Sequence, residues 1–275
     1  MQTLPIYQVD AFTTKRFCGN PAAIIPLQDW LSDELMQTIA MENNLAETAY
    51  FMRRADGSYD LRWFTPELEI PLCGHATLAS AYVLYEYLGY SGEMIRFYSK
   101  SGELTVEKTA DKLMLNFPAR PLHSLPHDKE EHLRVWLSSA LGRMPLEIYA
   151  SVNNYFLVMH SEDDVRAMQP DFLSLRTLPE MTGIIVTAAG TDRYDCVSRY
   201  FAPTAGVPED PVTGSAHCSI VPYWSKKLGK KDIVAYQASA RGGELFCTFL
   251  SEENGNDRVT MAGNVVPYLK GEIMV

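Results

Sequence analysis

One short motif occurs twice in the chain, and this internal repeat constrains the fold more than any other feature of the sequence. Residues 69–76 read Glu-Ile-Pro-Leu-Cys-Gly-His-Ala and residues 209–216 read Glu-Asp-Pro-Val-Thr-Gly-Ser-Ala, so four of eight positions are identical. A Phe-x-Pro segment precedes each copy, at residues 64–66 and 201–203. This shared context predicts a duplicated strand–loop–helix unit.

Hydrophobic periodicity predicts the elements around the repeat. Strands are predicted at 6–12, 22–25, 48–52, 59–64, 95–99, 104–109, 112–117, 148–152, 155–159, 183–188, 195–201 and from 246 onward. Helices are predicted after the cap Ser32, at 76–88, from a capping box of Asp128 and Glu131 to Gly142, from Ser161 to Pro170, and at 216–228. Pro222 should kink or divide the last helix. Residues 118–126 contain three prolines and no periodicity, which predicts a lobe boundary there.

Composition excludes several classes of function. The net charge of −10 argues against a nucleic-acid partner, because phosphate binding needs a basic surface. Five irregularly spaced cysteines without a Cys-x-x-Cys pair fit a reducing cytoplasm rather than a zinc knuckle. The sequence shows no signal peptide and no apolar stretch near the ~20 residues that span a bilayer, so we expect a cytoplasmic protein with no membrane partner.

Each copy of the repeat predicts an anion site. A loop of small residues that opens a helix presents free backbone N–H groups and the positive end of the helix dipole. The first loop carries His75, and the second carries Asp210 and Ser215. The alternative is that each loop only caps its own helix, with Asp210 as a turn residue and Glu209 as a solvated charge. The matched pair favours two lobes that hold one substrate carboxylate in a common cleft.

Glu47 is the candidate acid/base. It lies where a helix-to-strand connection enters the apolar strand at 48–52. A carboxylate at the edge of an apolar strand is costly unless it is paired or functional. By position alone this is one acidic residue among many that begin strands.

Several ordered motifs together carry a resemblance to a known family. They are Val-Asp-Ala-Phe at 9–12, Gly-Asn-Pro-Ala-Ala at 19–23, Asn-Leu-Ala-Glu-Thr-Ala at 44–49, Phe-Thr-Pro at 64–66, Cys-Gly-His-Ala-Thr at 73–77, and the second repeat at 209–216. With these motifs the chain resembles the PhzF-like isomerases of phenazine biosynthesis, within the diaminopimelate-epimerase-like fold, over nearly its whole length.

The resemblance implies an α/β (α+β) fold of two pseudo-symmetric lobes, each a curled, mostly antiparallel sheet around a central helix. The N-terminal lobe would span residues 1–118 and be joined by a C-terminal strand at 265–275, and the C-terminal lobe would span 119–264. The family also implies a homodimer and a small anionic metabolite as the substrate.

The resemblance further implies a proton shift on a small carboxylate without a metal or an organic cofactor. Glu47 would be the acid/base, and His75 and Asp210 would hold or polarise the substrate. Substrate binding would fall to Asn20, Cys73, Gly74, Thr213, Gly214 and Ser215. Candidates for the walls that set specificity are Tyr7, Phe17, Tyr155, Tyr200 and Trp224.

Two departures from the wider fold family leave alternatives open. Epimerases and racemases of this fold use a cysteine in each loop, whereas this chain has Cys73 in the first loop and Thr213 in the second. Ala46 stands where some members carry serine, which puts the phenazine-pathway substrate in doubt. The alternatives to a proton-shift isomerase are an epimerase or racemase that uses Cys73 with Glu47, and a metabolite-binding protein without turnover.

Overall fold

The two copies of the repeated motif belong to two units built on the same plan. The computed structural model describes residues 2–178, 180–252 and 255–275. The first unit comprises Met1–Phe117 and Thr260–Val275, and the second comprises Pro118–Val259. The first unit is therefore made from two separate stretches of the chain.

The elements follow in chain order. The first stretch contains β1 (Thr3–Ala11), β2 (Asn20–Leu27), α1 (Asp33–Asn43), β3 (Glu47–Arg53), β4 (Tyr59–Phe64), β5 (Glu69–Ile70), α2 (Gly74–Tyr87), β6 (Met94–Ser99), β7 (Gly102–Lys108) and β8 (Leu113–Pro118). The second unit contains β9 (His123–Ser124), α3 (His127–Leu141), β10 (Glu147–Ser151), β11 (Asn154–Val158), α4 (Glu162–Arg166), α5 (Phe172–Leu175), β12 (Gly183–Ala189), β13 (Cys196–Ala202), a 3₁₀ turn (Pro203–Ala205), β14 (Val207–Asp210), α6 (Gly214–Leu228), β15 (Asp232–Gln237) and β16 (Gly243–Leu250). Strand β17 (Arg258–Gly263) begins in the second unit and ends in the first. The last strand is β18 (Val265–Met274).

Strand pairing repeats from one unit to the other. In the first unit β1 pairs antiparallel with β2, β2 parallel with β3, β3 antiparallel with β4, and β4 parallel with β6. In the second unit the same directions recur from β10 through β11, β12 and β13 to β15. The final strand, β18, pairs antiparallel with β1. Each sheet is therefore mixed but mostly antiparallel, and its parallel pairs require crossover connections, of which those from β4 to β6 and from β13 to β15 carry the repeat.

Helices α2 and α6 form the centre of the two units. Helix α2 packs against β1, β2, β3, β7 and β18, and residues on all of its faces are buried. A helix that is apolar all round must lie inside the protein. Helix α6 packs in the same way against β12, β15 and β16.

Three details of the predicted helices are wrong. The proposed capping box does not form, because α3 begins at His127 after the N-cap Pro126 and Asp128 already lies inside the first turn. The helix predicted from Ser161 to Pro170 ends at Arg166, and a separate short helix, α5, follows it.

The third concerns Pro222: of the two outcomes predicted for it, a kink or a division of α6, the division does not occur. A proline inside a helix has no N–H to donate to the carbonyl four residues earlier. Here that carbonyl belongs to Cys218, and it accepts a hydrogen bond of 2.9 Å from the backbone N–H of Arg120. The acceptor freed by Pro222 is thus satisfied by another segment, and the helix continues to Leu228.

Membrane insertion through a helix finds no support in the described part of the chain, where no helix combines the length and the apolar content needed to cross a bilayer.

Candidate active site

Glu47 owes its position to the left-handed end of α1. Asn44 caps that helix with φ of 48°, and its backbone N–H donates to the carbonyl of Ala40 over 3.1 Å. Asparagine tolerates this conformation better than most residues. The turn delivers Glu47 to the first position of β3, opposite Ala22 in the parallel pair with β2. The carboxylate is buried, with the residue only 9 % exposed.

His75 meets this carboxylate from the start of α2. It is the second residue of the helix and is 3 % exposed. Its Nε2 lies 2.9 Å from Oε2 of Glu47. The ring N–H is not directed closely enough at that oxygen to make a hydrogen bond, so neither atom has a hydrogen-bond partner among the described residues. Both atoms therefore keep hydrogen-bonding capacity for a ligand.

Asn20 and Cys73 lie on the other nitrogen of the same ring. Nδ2 of Asn20 is 3.0 Å from Nδ1 of His75, and Sγ of Cys73 is 3.5 Å from it. Cys73 is the N-cap of α2, but its side chain makes no capping hydrogen bond. The structure thus brings four predicted site residues, Glu47, His75, Asn20 and Cys73, around one imidazole, with Gly74 as the first residue of the helix.

Opposing effects set the charge of this cluster. Burial by itself lowers the pKa of His75, but the contacts with Cys73 and with the Glu47 carboxylate outweigh it and raise the pKa well above the ordinary value. Burial, reinforced by the Glu47 charge, raises the pKa of the Cys73 thiol to about 11. The thiol is therefore protonated near neutral pH, and the carboxylate of Glu47 is the negative charge that holds a proton on His75.

The second copy of the repeat has the same construction with different side chains. Thr213 is the N-cap of α6, at the position of Cys73, and Gly214 and Ser215 open the helix. The hydroxyl of Thr213 donates to Oδ2 of Asp210 over 2.5 Å. That hydroxyl is therefore engaged in orienting Asp210, and the loop offers the N–H groups of a helix start beside a carboxylate.

Gln237, which the sequence analysis missed, ties this loop together. It is fully buried at the end of β15, and its Oε1 accepts the backbone N–H of Thr213 over 2.8 Å. Its Nε2 donates to the carbonyl of Asp210 over 2.7 Å and contacts Oγ1 of Thr213 at 3.1 Å. Strand β15 was itself not predicted, so no sequence signal pointed to Gln237.

A repeated ion pair anchors each loop, and this signal was present in the sequence. Arg62 binds both carboxylate oxygens of Glu69 at 2.9 Å. Arg199 binds both oxygens of Glu209, at 2.7 and 2.9 Å. Each arginine stands two residues before the phenylalanine of the Phe-x-Pro segment. The alternative of Glu209 as a solvated loop charge is wrong, because the Arg199 fork holds it in a bidentate geometry.

Serines hold the prolines of the two motifs in the same way. The hydroxyl of Ser101 donates to the carbonyl of Pro71, and that of Ser239 donates to the carbonyl of Pro211, both over 2.8 Å. The internal repeat therefore extends beyond the eight aligned positions to the residues that fix the loops.

The prediction that Tyr155 and Trp224 line the walls of the site is wrong. Tyr155 has no exposed surface and belongs to the apolar core of the second unit. Trp224 is also buried, and its indole N–H donates to Oγ1 of Thr187 over 2.9 Å. Of the other candidates, Tyr7 stacks on Tyr87. Large aromatic side chains fill cores more often than they line sites.

The remaining two wall candidates differ in exposure. Tyr200 is half-buried, and its hydroxyl donates to Oδ1 of Asn154 over 2.9 Å. Phe17 is 68 % exposed.

Comparison with known proteins now decides the family. Residues 9–271 match the PhzC-PhzF family, described as phenazine biosynthesis-like protein. The chain belongs to this family. An uncharacterised isomerase of Pseudomonas aeruginosa is 47% identical over 270 residues, which cover 98% of each chain. A crystal structure of a PhzF-family phenazine biosynthesis protein from Enterococcus faecalis is 43% identical over 100% of both chains, with a TM-score of 0.91.

More distant similarity concerns the fold alone. A protein described as a predicted epimerase from Pseudomonas aeruginosa has a TM-score of 0.77 at 18% identity and covers 99% of both chains. These findings confirm the family resemblance, the mixed α/β fold with curled sheets and the prediction of an isomerase-type enzyme.

Proposed function

We propose that this PhzF-family isomerase shifts a proton on a small carboxylate-bearing metabolite, with Glu47 as the proton carrier and without a cofactor. The observation that carries the proposal is the 2.9 Å contact between the Glu47 carboxylate and the His75 imidazole at the start of α2. A carboxylate held against a buried imidazole has a fixed position. A general base must lie within hydrogen-bond reach of the proton that it removes, so a fixed position favours this role.

In the proposed reaction Glu47 removes a proton from an activated carbon of the substrate and returns it to another carbon. His75 directs one oxygen of Glu47 and leaves the other to the substrate. The N–H groups at the start of α2, beginning with Gly74, stabilise negative charge on the substrate. The Asn20 amide lies against Nδ1 of the same imidazole.

The second repeat is proposed to bind rather than to transfer protons. Asp210 would hold or polarise the substrate, and Gly214 and Ser215 would contact its anionic group at the start of α6. Gln237 and Thr213 keep this loop in shape.

The cysteine-based epimerase is the weaker alternative. Stereoinversion by two bases needs an acid on each face of the substrate carbon. The Cys73 thiol is buried with its pKa raised to about 11, which disfavours a thiolate base. Thr213, at the corresponding position, donates a hydrogen bond from its hydroxyl to the Asp210 carboxylate. Glu47 is thus the better proton carrier.

Hydrogen exchange with solvent tests the role of Glu47. Candidate carboxylates with acidic C–H bonds (amino acids, hydroxy acids and cyclic dienoic acids) are incubated with the protein in D₂O and followed by NMR and mass spectrometry. For any compound that wild type labels, Glu47→Gln should label at least about 10²-fold more slowly, because it removes a general acid/base.

Glu162→Gln is the matched control. Glu162 is also 9 % exposed but pairs with Arg166 and Thr191 outside the site, so this variant should label at the wild-type rate. A folded Glu47→Gln protein that labels as fast as wild type would refute the proposed role. Tight calorimetric binding without any labelling would favour the metabolite-binding alternative.

We also propose a cytoplasmic location, a homodimer, and a small anionic metabolite as the binding partner.

A further inference from the structure

We propose that Glu47, Cys73 and His75 form a binding site for Zn²⁺. One ligand atom from each residue can be chosen so that all three lie within 4.8 Å of one another, and all three residues are buried. No spacing in the sequence points to this set, because Glu47 is distant from Cys73 and His75 along the chain. The ion is an inhibitory ligand in this proposal, not a cofactor.

The donor types select zinc over harder ions. Thiolate, imidazole and carboxylate are the usual ligands of Zn²⁺, whereas Mg²⁺ and Ca²⁺ prefer sets of oxygen atoms. Three protein ligands leave one tetrahedral position open for water, as in exposed zinc sites of enzymes.

Two of the contacts already have separations near those between zinc ligands, but they involve different nitrogens of the His75 ring. Ligand bonds of ~2.3 Å to sulfur and ~2.0 Å to nitrogen or oxygen place tetrahedral ligands roughly 3.3–3.5 Å apart. Sγ of Cys73 is 3.5 Å from Nδ1 of His75, and Nε2 of His75 is 2.9 Å from Oε2 of Glu47. Only one ring nitrogen can bind the ion, so rotation of these side chains must bring the third ligand closer.

Charge and hydrogen bonding also favour the ion. Binding transfers the thiol proton and the imidazole proton to solvent. The thiolate and the carboxylate then carry two negative charges that balance Zn²⁺, which reduces the cost of burying it. The Cys73 side chain makes no capping bond, and Nε2 and Oε2 have no hydrogen-bond partner among the described residues.

The second repeat shows that this donor set is not a general property of the loop. Thr213 and Ser215 occupy the positions of Cys73 and His75. The loop therefore has neither a thiol nor an imidazole at these positions, and the Thr213 hydroxyl is bound to Asp210. We expect one zinc site per chain.

Cobalt is the probe that distinguishes this site from surface binding. Metal-free full-length protein is titrated with Co²⁺ in a reducing, non-chelating buffer. Four-coordinate Co²⁺ bound to a thiolate should give one equivalent of a sulfur-to-metal charge-transfer absorption, which Zn²⁺ should abolish by displacement. Calorimetry with Zn²⁺ should give a stoichiometry of one, and Mg²⁺ should not compete.

Cysteine variants assign the sulfur. Cys73→Ser should lose the charge-transfer absorption and bind Zn²⁺ at least about tenfold more weakly, since even loss of an outer-shell partner costs roughly 10–100-fold. Cys18→Ser is the matched control, because Cys18 is the one cysteine that is not buried, and it should behave as wild type. Three outcomes would overturn the proposal: a charge-transfer absorption that persists in Cys73→Ser, binding of Co²⁺ by wild type without that absorption, or no metal binding by wild type.

The metal site rests on geometry alone, and only its inhibitory effect rests on the proposed function. If Zn²⁺ binds as described and Glu47→Gln still labels substrate at the wild-type rate, the site stands and the proposed role of Glu47 fails. If Zn²⁺ does not bind and Glu47→Gln is inactive, the reverse holds.

Discussion

Two buried histidines show how local surroundings decide what the same residue can do. His75 has Glu47 beside it, and its pKa is raised. His217 is equally buried, but its Nδ1 donates to the carbonyl of Thr213 over 2.8 Å and no carboxylate pairs with it. Burial therefore lowers the pKa of His217 to about 4. His75 is suited to hold charge at neutral pH, whereas His217 is a neutral structural group.

The lowered pKa of His217 predicts a loss of stability in acid. The unfolded chain, with a histidine pKa of 6.5, binds a proton that the folded chain refuses, so stability falls as the pH drops from about 6.5 towards 4. Between pH 7.5 and pH 5 this group should cost about 2 kcal/mol of the free energy of unfolding.

His217→Asn should remove that part of the pH dependence, because the amide can still donate to Thr213 without titrating. Urea unfolding at the two pH values measures it. His132→Asn is the control: His132 makes the same contact to a carbonyl four residues earlier but is exposed, so the pH dependence should stay that of wild type. An unchanged slope in His217→Asn would contradict the assignment.

At the level of elements, the two repeats share a frame and differ in how the helix start is held. Both loops are anchored by an arginine–glutamate pair and by a serine on the proline carbonyl. Only the second has a buried glutamine, Gln237, across its loop. Ser99 ends β6 where Gln237 ends β15, and its hydroxyl bonds to its own turn at Gly102.

Gln237→Met should therefore destabilise the second unit. Methionine keeps the volume but leaves the Thr213 N–H and the Asp210 carbonyl without their partner. The loss of these two hydrogen bonds, one at a buried N–H and one at a part-buried carbonyl, should cost about 2–4 kcal/mol of the free energy of unfolding. Gln37→Met is the comparison, because the half-buried Gln37 makes one hydrogen bond, to the carbonyl of Thr65. It should cost under about 1 kcal/mol. Equal effects of the two substitutions in urea unfolding would rule out a special role for Gln237.

At the scale of the whole molecule, the first unit depends on both ends of the chain. Strand β1 lies between β2 and β18, and Leu4 faces Ile273 in the outer pair. Ile273 packs on the core cluster that contains Leu4 and Ile6. The first unit therefore includes residues of both stretches, Met1–Phe117 and Thr260–Val275.

Ile273→Asp should accordingly weaken the first unit by about 2–3 kcal/mol, since it places a charge against an apolar core. Met274→Asp, at the next position, should stay within about 0.5 kcal/mol, because Met274 is 74 % exposed. Hydrogen exchange followed by mass spectrometry should show faster exchange in β1 and β2 for Ile273→Asp, with β11 and β12 unchanged. Equal exchange in the two variants would contradict this account.

The sequence by itself determined most of the elements and the repeat, because both depend on neighbours along the chain. Alternating strands, the glycines that end α3 and α6, and the two small-residue loops are local signals. The family motif also placed Glu47 and His75 among the candidates. Errors arose where a distant group intervened, as when Arg120 satisfied the carbonyl that Pro222 had freed.

Only the tertiary structure decided which candidates meet. Asn20 reaches His75 across 55 residues of sequence, and Gln237 reaches Thr213 across 24. Glu47 acquires its partner and Cys73 its buried neighbours in the same way. Such contacts depend on how sheets close around a helix, and no periodicity along the chain encodes them. The charge of His75, the protonated thiol of Cys73 and the proposed metal ligands all depend on how the sheet closes around α2.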